Sequence, residues 1–383
     1  MKPIYFDHAA TTPVHPEVVK SMQQAMETAI GNPSSVHSFG RQARRIMDDS
    51  RAVVAQTIGA KEKEIIFTSG ATEADNLAVI GAAFSNRASG NHIITTSIEH
   101  HATLHAMGHL EKHGFTVTYL PVNESGLVEV EDVENALSDD TILVSVMYVN
   151  NETGVIQPIR EISEILKNHQ ALFHVDGVQA LGYLPVNVQE MNIDLFAASG
   201  HKLNGPKGIG FLYCRDGVPL EARQFGGEQE RRRRPGTENV HAVAGLQTTM
   251  QLLQEQRDDR VEKYKKFKSH FINVLEKNGI EFKINGDPAY TVSSIINISF
   301  TNCHVEQLLM QFDLSGIAAS SGSACTAGAI DPSHVLTAMF GKDKDRANNS
   351  IRFSFGEANS EEDIINGAQI VADIIKKKQK GGA

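Results

Sequence analysis

Short apolar runs punctuated by glycine, asparagine and proline recur along the 383 residues, and between several of them the apolar positions repeat at helical spacing. Residues 65–69 form one such run. It breaks at Gly70 and gives way to ATEADNLAVIGAAF, residues 71–84, a helix pattern. Further strands are predicted over 91–96, over the β-branched stretch 141–149, over 171–175, and on either side of a glycine-rich turn at 194–199 and 209–213, with a helix over 159–168. Strands alternating with helices through 60–215 predict a mostly parallel, doubly wound sheet with its site at the strand C-terminal ends. Upstream, residues 5–12 read as an extended arm closed by Pro13 and Pro16, and a helix from Gly40 places Arg41, Arg44 and Arg45 on a solvated face. Downstream, residues 240–278 have helical character and link to a smaller C-terminal unit, with strands at 293–300 and 350–355 and a helix starting at 305–312.

A chain of this length can bury two domain cores. The net charge of −10 argues against general affinity for nucleic acid or acidic membranes. Cys214, Cys303 and Cys325 cannot all pair within one chain and show no CxxC spacing, which suits a reducing cytosol. The first residues lack a basic segment followed by an apolar one, and no run of about 20 apolar residues suggests a membrane span. No metal-ligand spacing stands out.

The chemistry concentrates in DLFAASGHKLNGPKGIGFLY, residues 194–213, which reads as strand, loop, strand with Lys202 on the loop. Desolvation or a cationic neighbour disfavours a lysine's charge, and the neutral amine is the form that condenses with an aldehyde. Asp176 closes an apolar strand 202 − 176 = 26 residues earlier, about one strand–helix–strand step. A carboxylate after one strand and a lysine after the next fit a pyridoxal phosphate site, the carboxylate keeping the pyridine nitrogen protonated. Residues 70–72, between strand and helix, form either an anion site built from free N–H groups or a simple cap at Thr72.

HVDGVQALG (174–182) with SGHKLNGPKGIG (199–210) resembles the cysteine desulfurases of the NifS/IscS type, fold-type I pyridoxal phosphate enzymes related to the class V aminotransferases. YFDHAATTPV (5–14), FTSGATEADNLA (67–78), EHHATL (99–104), VNNETGVIQPI (149–159), RPGTENV (234–240), SSGSACTAGAIDPSHVL (320–336) and SIRFSFG (350–356) extend the resemblance in family order. It implies a large cofactor domain at 14–255 and a small α+β domain made of 1–13 and 256–383, with a cysteine loop at about 318–334. It also implies a homodimer.

The resemblance assigns Ala71 and Thr72 to the cofactor phosphate and His100 to ring stacking and proton transfer. It puts Asn151 at ring and substrate carboxylate, Asp176 at the ring nitrogen and Gln179 at the phenolic oxygen. Ser199, His201 and Lys202 complete the cofactor contacts, Thr237 reaches the partner's phosphate, and Arg352 clamps the substrate carboxylate. Cys325 sits in a small, polar stretch with the composition of a mobile loop, where the family carries its persulfide. Cys214 and Cys303 read as buried and inert. The run Arg231 to Arg234 reads as a solvated charge cluster, and the proline before Gly236 departs mildly from the family pattern.

The implied activity converts L-cysteine to L-alanine and leaves sulfane sulfur on Cys325, for delivery to an acceptor protein in iron-sulfur cluster assembly or tRNA thiolation. A selenocysteine lyase, another pyridoxal phosphate lyase or an aminotransferase uses similar machinery. A sulfur-relay scaffold with vestigial catalysis stands outside enzymology.

Overall fold

The computed structural model describes residues 2–381 except 323, 324, 327, 328, 331, 342 and 343, and leaves undescribed the side chains of 325, 326, 329, 330, 344, 380 and 381 as well. In chain order, β1 (Ile4–Tyr5) leads into the N-terminal arm, followed by α1 (Pro16–Thr28) and α2 (Ser38–Thr57). The central layer then alternates β2 (Ile65–Thr68), α3 (Ala71–Ser85), β3 (His92–Thr96), α4 (His101–Lys112), β4 (Thr116–Leu120), α5 (Val130–Ala136), β5 (Thr141–Met147), α6 (Ile159–Leu166) and β6 (Leu172–Asp176). It closes with β7 (Leu195–Ser199) and β8 (Gly210–Cys214). The long α7 (Val240–Lys277) leads to β9 (Phe282–Ile284), β10 (Ile295–Phe300), α8 (Val305–Leu314) and β11 (Ile317–Ala318). After β12 (Cys325–Thr326) and β13 (Ala329–Ile330) come α9 (His334–Phe340), α10 (Lys344–Asn348), β14 (Ser350–Ser354) and α11 (Glu361–Gly381).

The seven-stranded sheet runs β2-β8-β7-β6-β5-β3-β4, with β8 antiparallel to both neighbours and the other ladders parallel. It is sandwiched, so all its strands but the edge strand β4 are apolar on both faces. Phe67, Val144, Val146, Phe173, Val175, Phe196 and Phe211 face one core, while Ile66, Leu143, Leu195, Ala197 and Leu212 face the other. This is the α/β, doubly wound layer expected for a fold-type I enzyme.

A three-stranded antiparallel sheet, β14-β10-β9, builds a second unit around Phe6, Phe271, Phe300, Phe312, Phe353 and Phe355. The N-terminal arm belongs to this unit, since β1 pairs in parallel with β11 and Phe6 sits in its core. Helix α7 passes through both cores: Val243, Leu246, Met250 and Leu253 pack on the first, Tyr264, Phe267, Phe271 and Leu275 on the second. The division expected at 255–256 therefore falls inside one continuous helix. The stretch expected as a loop holds the short antiparallel pair β12–β13.

Candidate active site

Four parallel strands deliver side chains to one end of the sheet. Beyond β2 comes Gly70, beyond β5 Asn151, at the end of β6 Asp176 and at the end of β7 Ser199, with Lys202 three residues further. Together they line a cavity of about 650 Å³. Ala71, Thr72, His100, Gln179, His201 and Arg352 line it as well. Of the expected site residues with described side chains, only Thr237 lies elsewhere, exposed on the segment before α7. The side chain of Cys325 lies outside the described residues. A larger hollow of about 930 Å³ beside Cys303 is lined by none of the expected residues.

Lys202 Nζ donates to the carbonyls of Ala9 (2.5 Å) and Ala10 (2.8 Å) in the arm. Burial, and next the Arg352 guanidinium, pull its pKa from 10.5 to about 8, against the opposing pull of Asp7 and Asp176. Two N–H groups are as many as a neutral amine has, so both contacts survive deprotonation and the lone pair stays free.

Asp176 accepts one hydrogen bond, from the Val178 N–H at 3.0 Å, and burial raises its pKa to about 6 while Lys202 acts in the opposite direction. Two more acids are buried nearby. Glu99 takes Thr96 Oγ1 (2.7 Å) and the Met147 N–H (2.9 Å) on one oxygen, has no partner on the other, and is pushed by burial to about 8. Asp75, on α3, has no hydrogen bond on either oxygen; burial, then the charges of Asp176 and Glu99, hold its pKa well above the usual carboxylate range. His174 Nε2 lies 3.4 Å from its Oδ1, on an imidazole that burial keeps neutral and whose Nδ1 meets Ser145 Oγ at 2.8 Å. Asp75 carries no sequence signal of its own: it shares the first turns of α3 with Thr72, Glu73 and Asn76, and only the apolar run from Leu77 onward hints that the helix is buried.

His100 is the N-cap of α4: its Nδ1 accepts the Ala102 N–H at 3.1 Å. The neutral ring therefore carries its proton on Nε2. Burial, then Lys202 and the neighbouring histidines, lower its pKa to about 4. His201 is lowered to about 4 as well, by burial and then Lys202, and its Nδ1 lies 3.3 Å from Thr11 Oγ1.

At the start of α3 the cap is Gly70, not Thr72. Gly70 has φ 153°, a conformation that disfavours side chains, and no side chain caps the helix. The helix thus presents its N–H groups to the cavity, beside Ser199. Behind it, Arg234 pairs with Glu73 at 2.8 Å. The arginine run is thus not uniformly solvated: Arg231 donates to the Lys63 carbonyl at 2.7 Å, and three consecutive residues, Glu230, Arg231 and Arg232, hold positive φ.

Arg352 is 4% exposed and donates to the Asn151 carbonyl (2.9 Å) and Asp7 Oδ1 (2.7 Å), while its buried Nε has no partner. Gln179 donates to the Ala9 carbonyl at 2.9 Å, so in this structure the arm occupies one of its two N–H groups. Cys214 is fully buried in β8, and burial raises its thiol to about 11. Cys303, also buried, is raised by burial too.

A largely buried lysine and a buried acid lining one cavity, at the C-terminal edge of this sheet, define a class. The chain belongs to the class-V aminotransferase family, whose model matches residues 4–366. Among its relatives are the putative cysteine desulfurase IscS 1 of Bacillus subtilis strain 168, 53% identical over 98% of this chain and 100% of its own length, and the cysteine desulfurase IscS of Methanosarcina thermophila, 44% identical over 98% and 93%. A solved structure described as a NifS-like protein superposes with a TM-score of 0.91 at 34% identity, covering 98% of this chain and 100% of that one.

Members of this family depend on pyridoxal phosphate. The residues present fit it: a buried acid with a single donor at the cavity floor, a lysine held near neutrality, and an uncapped helix start of the kind that binds phosphate. Among the described residues no group of histidines, cysteines and acids could hold a metal ion, and no helix is long and apolar enough to cross a membrane.

Proposed function

We propose that this protein is a cysteine desulfurase: it converts L-cysteine to L-alanine and leaves the sulfur on Cys325. The observation that carries this reading is the convergence on one cavity of the Lys202 amine, the Asp176 carboxyl and the Arg352 guanidinium. When bound, pyridoxal phosphate supplies a ring that accepts the electron pair left at the substrate Cα. Ala71 and Thr72 would hold its phosphate through the start of α3, Ser199 and His201 would add contacts, Asp176 would keep its ring nitrogen protonated, and Gln179 would serve its phenolic oxygen.

Arg352, with Asn151 beside it, binds the substrate carboxylate. Its buried, unpartnered Nε and the opposing Asp7 leave it oriented but not saturated. Lys202 Nζ, neutral in a useful fraction at neutral pH, takes the Cα proton. His100, whose neutral ring lines the cavity with its proton on Nε2, assists proton movements by hydrogen bonding. Cys325, as thiolate, attacks the substrate sulfur; an S–S bond forms, the C–S bond breaks, and its electron pair stays on carbon. Protonation of that carbon, and return of the proton from Lys202 to Cα, gives alanine, so one enzyme thiol and one cysteine become one persulfide and one alanine.

Thr237 lies outside its own chain's cavity, and Ile30, Val36 and Phe225 are more than 70% exposed; both features favour a homodimer in which Thr237 serves the partner's phosphate. We assign residues 14–255 to the cofactor domain and 1–13 with 256–383 to the small domain, on the division of α7 between the two cores. The persulfide passes to an acceptor protein in the cytoplasm, for iron-sulfur assembly or tRNA thiolation. The test is the Cys325→Ala protein loaded with cofactor. It is expected to bind L-cysteine and yield no protein-bound sulfur and little alanine; full alanine formation would overturn the assignment.

A further inference from the structure

Glu152 follows Asn151 at the cavity edge and is 2% exposed. Its backbone is fixed from the sheet side: the N–H donates to Asn150 Oδ1 (2.9 Å), and the carbonyl accepts from Asn297 Nδ2 (3.1 Å) on β10. Its carboxyl meets both described ends of the segment that carries Cys325. At one end, Ser333 Oγ donates to Glu152 Oε2 at 2.5 Å and accepts the Leu336 N–H at 3.1 Å, so the hydroxyl that caps α9 has both roles filled. At the other, a Cβ on Gly322 would lie 2.6 Å from the same Oε2 and 2.8 Å from Cδ, and Gly322 has φ +88°. Only a glycine lets the chain lie against that carboxyl. Two residues earlier, Ser320 exchanges backbone hydrogen bonds with Arg352 (3.2 and 2.7 Å), and Arg352 in turn holds the Asn151 carbonyl.

We propose that Glu152 is a positioning residue for sulfur transfer: its carboxyl sets the two ends of the Cys325 segment, at Gly322 and Ser333, relative to the substrate held at Arg352. The inference rests on the reading of Cys325 as sulfur acceptor. It assigns Glu152 no contact with substrate or cofactor. Its length is what sets both ends, because one carboxyl oxygen serves them; its charge, which also acts on Arg352 and His101, is what Glu152→Gln removes.

The experiment compares cofactor-loaded wild type, Glu152→Asp and Glu152→Gln, with Cys325→Ala as blank. Two quantities are measured: half-saturation by L-cysteine from the change in cofactor absorbance, and the single-turnover rate at which Cys325 gains sulfur, by mass spectrometry. Glu152→Asp withdraws the carboxyl by one methylene. It is expected to keep half-saturation within about twofold and to load Cys325 ~10- to 100-fold more slowly, the cost of a misplacement of order 1 Å. Glu152→Gln keeps the length and an acceptor for Ser333, and loads at close to the wild-type rate. Wild-type loading in Glu152→Asp, or equal slowing in both variants, overturns the proposal. Should Glu152→Asp not fold, Ser333→Ala removes the bonding hydroxyl and is expected to slow loading likewise; wild-type loading there overturns the proposal as well. A wild-type enzyme that makes alanine without placing sulfur on Cys325 refutes the Cys325 reading instead, before any Glu152 variant is compared.

Discussion

Lys202 offers the sharpest quantitative test. With the ordinary pKa of 10.5, about one lysine in 1,000 is neutral at about pH 7.5; with a pKa of about 8, about one in four is, a gain of roughly 250-fold in reactive amine. The sign follows from burial disfavouring the charged form, so deprotonation comes early and the neutral fraction grows as pH rises through about 8. The assay is the rate at which enzyme freed of cofactor regains visible absorbance when pyridoxal phosphate is added at constant ionic strength. That rate is expected to rise with pH and level off above about 8. Two variants move the break in opposite directions. Arg352→Gln removes a cation that lowers the Lys202 pKa and shifts the break upward; Asp7→Asn removes an anion that raises it and shifts the break downward. A rate that climbs without a break to beyond pH 10, or variants that shift together, would refute the electrostatic account.

Asp75, buried without a donor, is expected to be protonated at neutral pH, so Asp75→Asn should remove a carboxylic-acid band from the infrared difference spectrum and change turnover only a few-fold, whereas Asp176→Asn should cost at least ~10²-fold; an unchanged infrared band would contradict this. Glu230 forms a buried two-point pair with Arg51 (2.6 and 2.8 Å) and also accepts the Phe67 N–H, so Glu230→Ala should lose about 3–5 kcal/mol of stability in denaturant melts, and a loss below ~1 kcal/mol would show that the buried guanidinium finds other partners. Cys214 should escape iodoacetamide at neutral pH in peptide mapping of the folded protein, since its thiol is fully buried and raised to about 11; stoichiometric labelling would contradict the packing of β8.

The sheet, apart from its edge strand β4, was readable because its strands are buried on both faces and stand out as continuous apolar runs; β4 (TVTYL) is partly exposed, alternates polar and apolar residues, and was not predicted. Asp176 and Lys202 were readable because chain direction and strand ends place them. Asp75 was not, since an acid in a helix is ordinarily read onto a solvated face, and α3 has almost none: it is buried between the sheet and α4. The choice at residues 70–72 was open in the sequence because Thr72 is a good capping residue; the chain instead enters α3 through Gly70 at a φ that disfavours side chains. Arg234 lay in a charge run, where composition does not say which members turn to the protein, as Arg234 does to Glu73 and Arg231 to the Lys63 carbonyl. Pairs such as Asp7–Arg352 and Glu152–Ser333 follow from tertiary closure, which local periodicity does not encode.

The arm that supplies the Ala9 and Ala10 carbonyls to Lys202 is itself held by strands formed some 300 residues later: Ile4 pairs with Ile317, and the Ala9 N–H donates to Ser354 Oγ at 2.8 Å. On a ribosome the lysine loop emerges well before either anchor. The large sheet can form before those anchors exist, with the arm held only through contacts to Gln179 and the lysine loop, such as the Thr12 N–H donating to the His201 carbonyl at 2.9 Å. Biosynthesis therefore separates folding of the sheet from completion of the pocket, which waits for Arg352 and the arm's anchor on the strand at 350–354 to leave the exit tunnel.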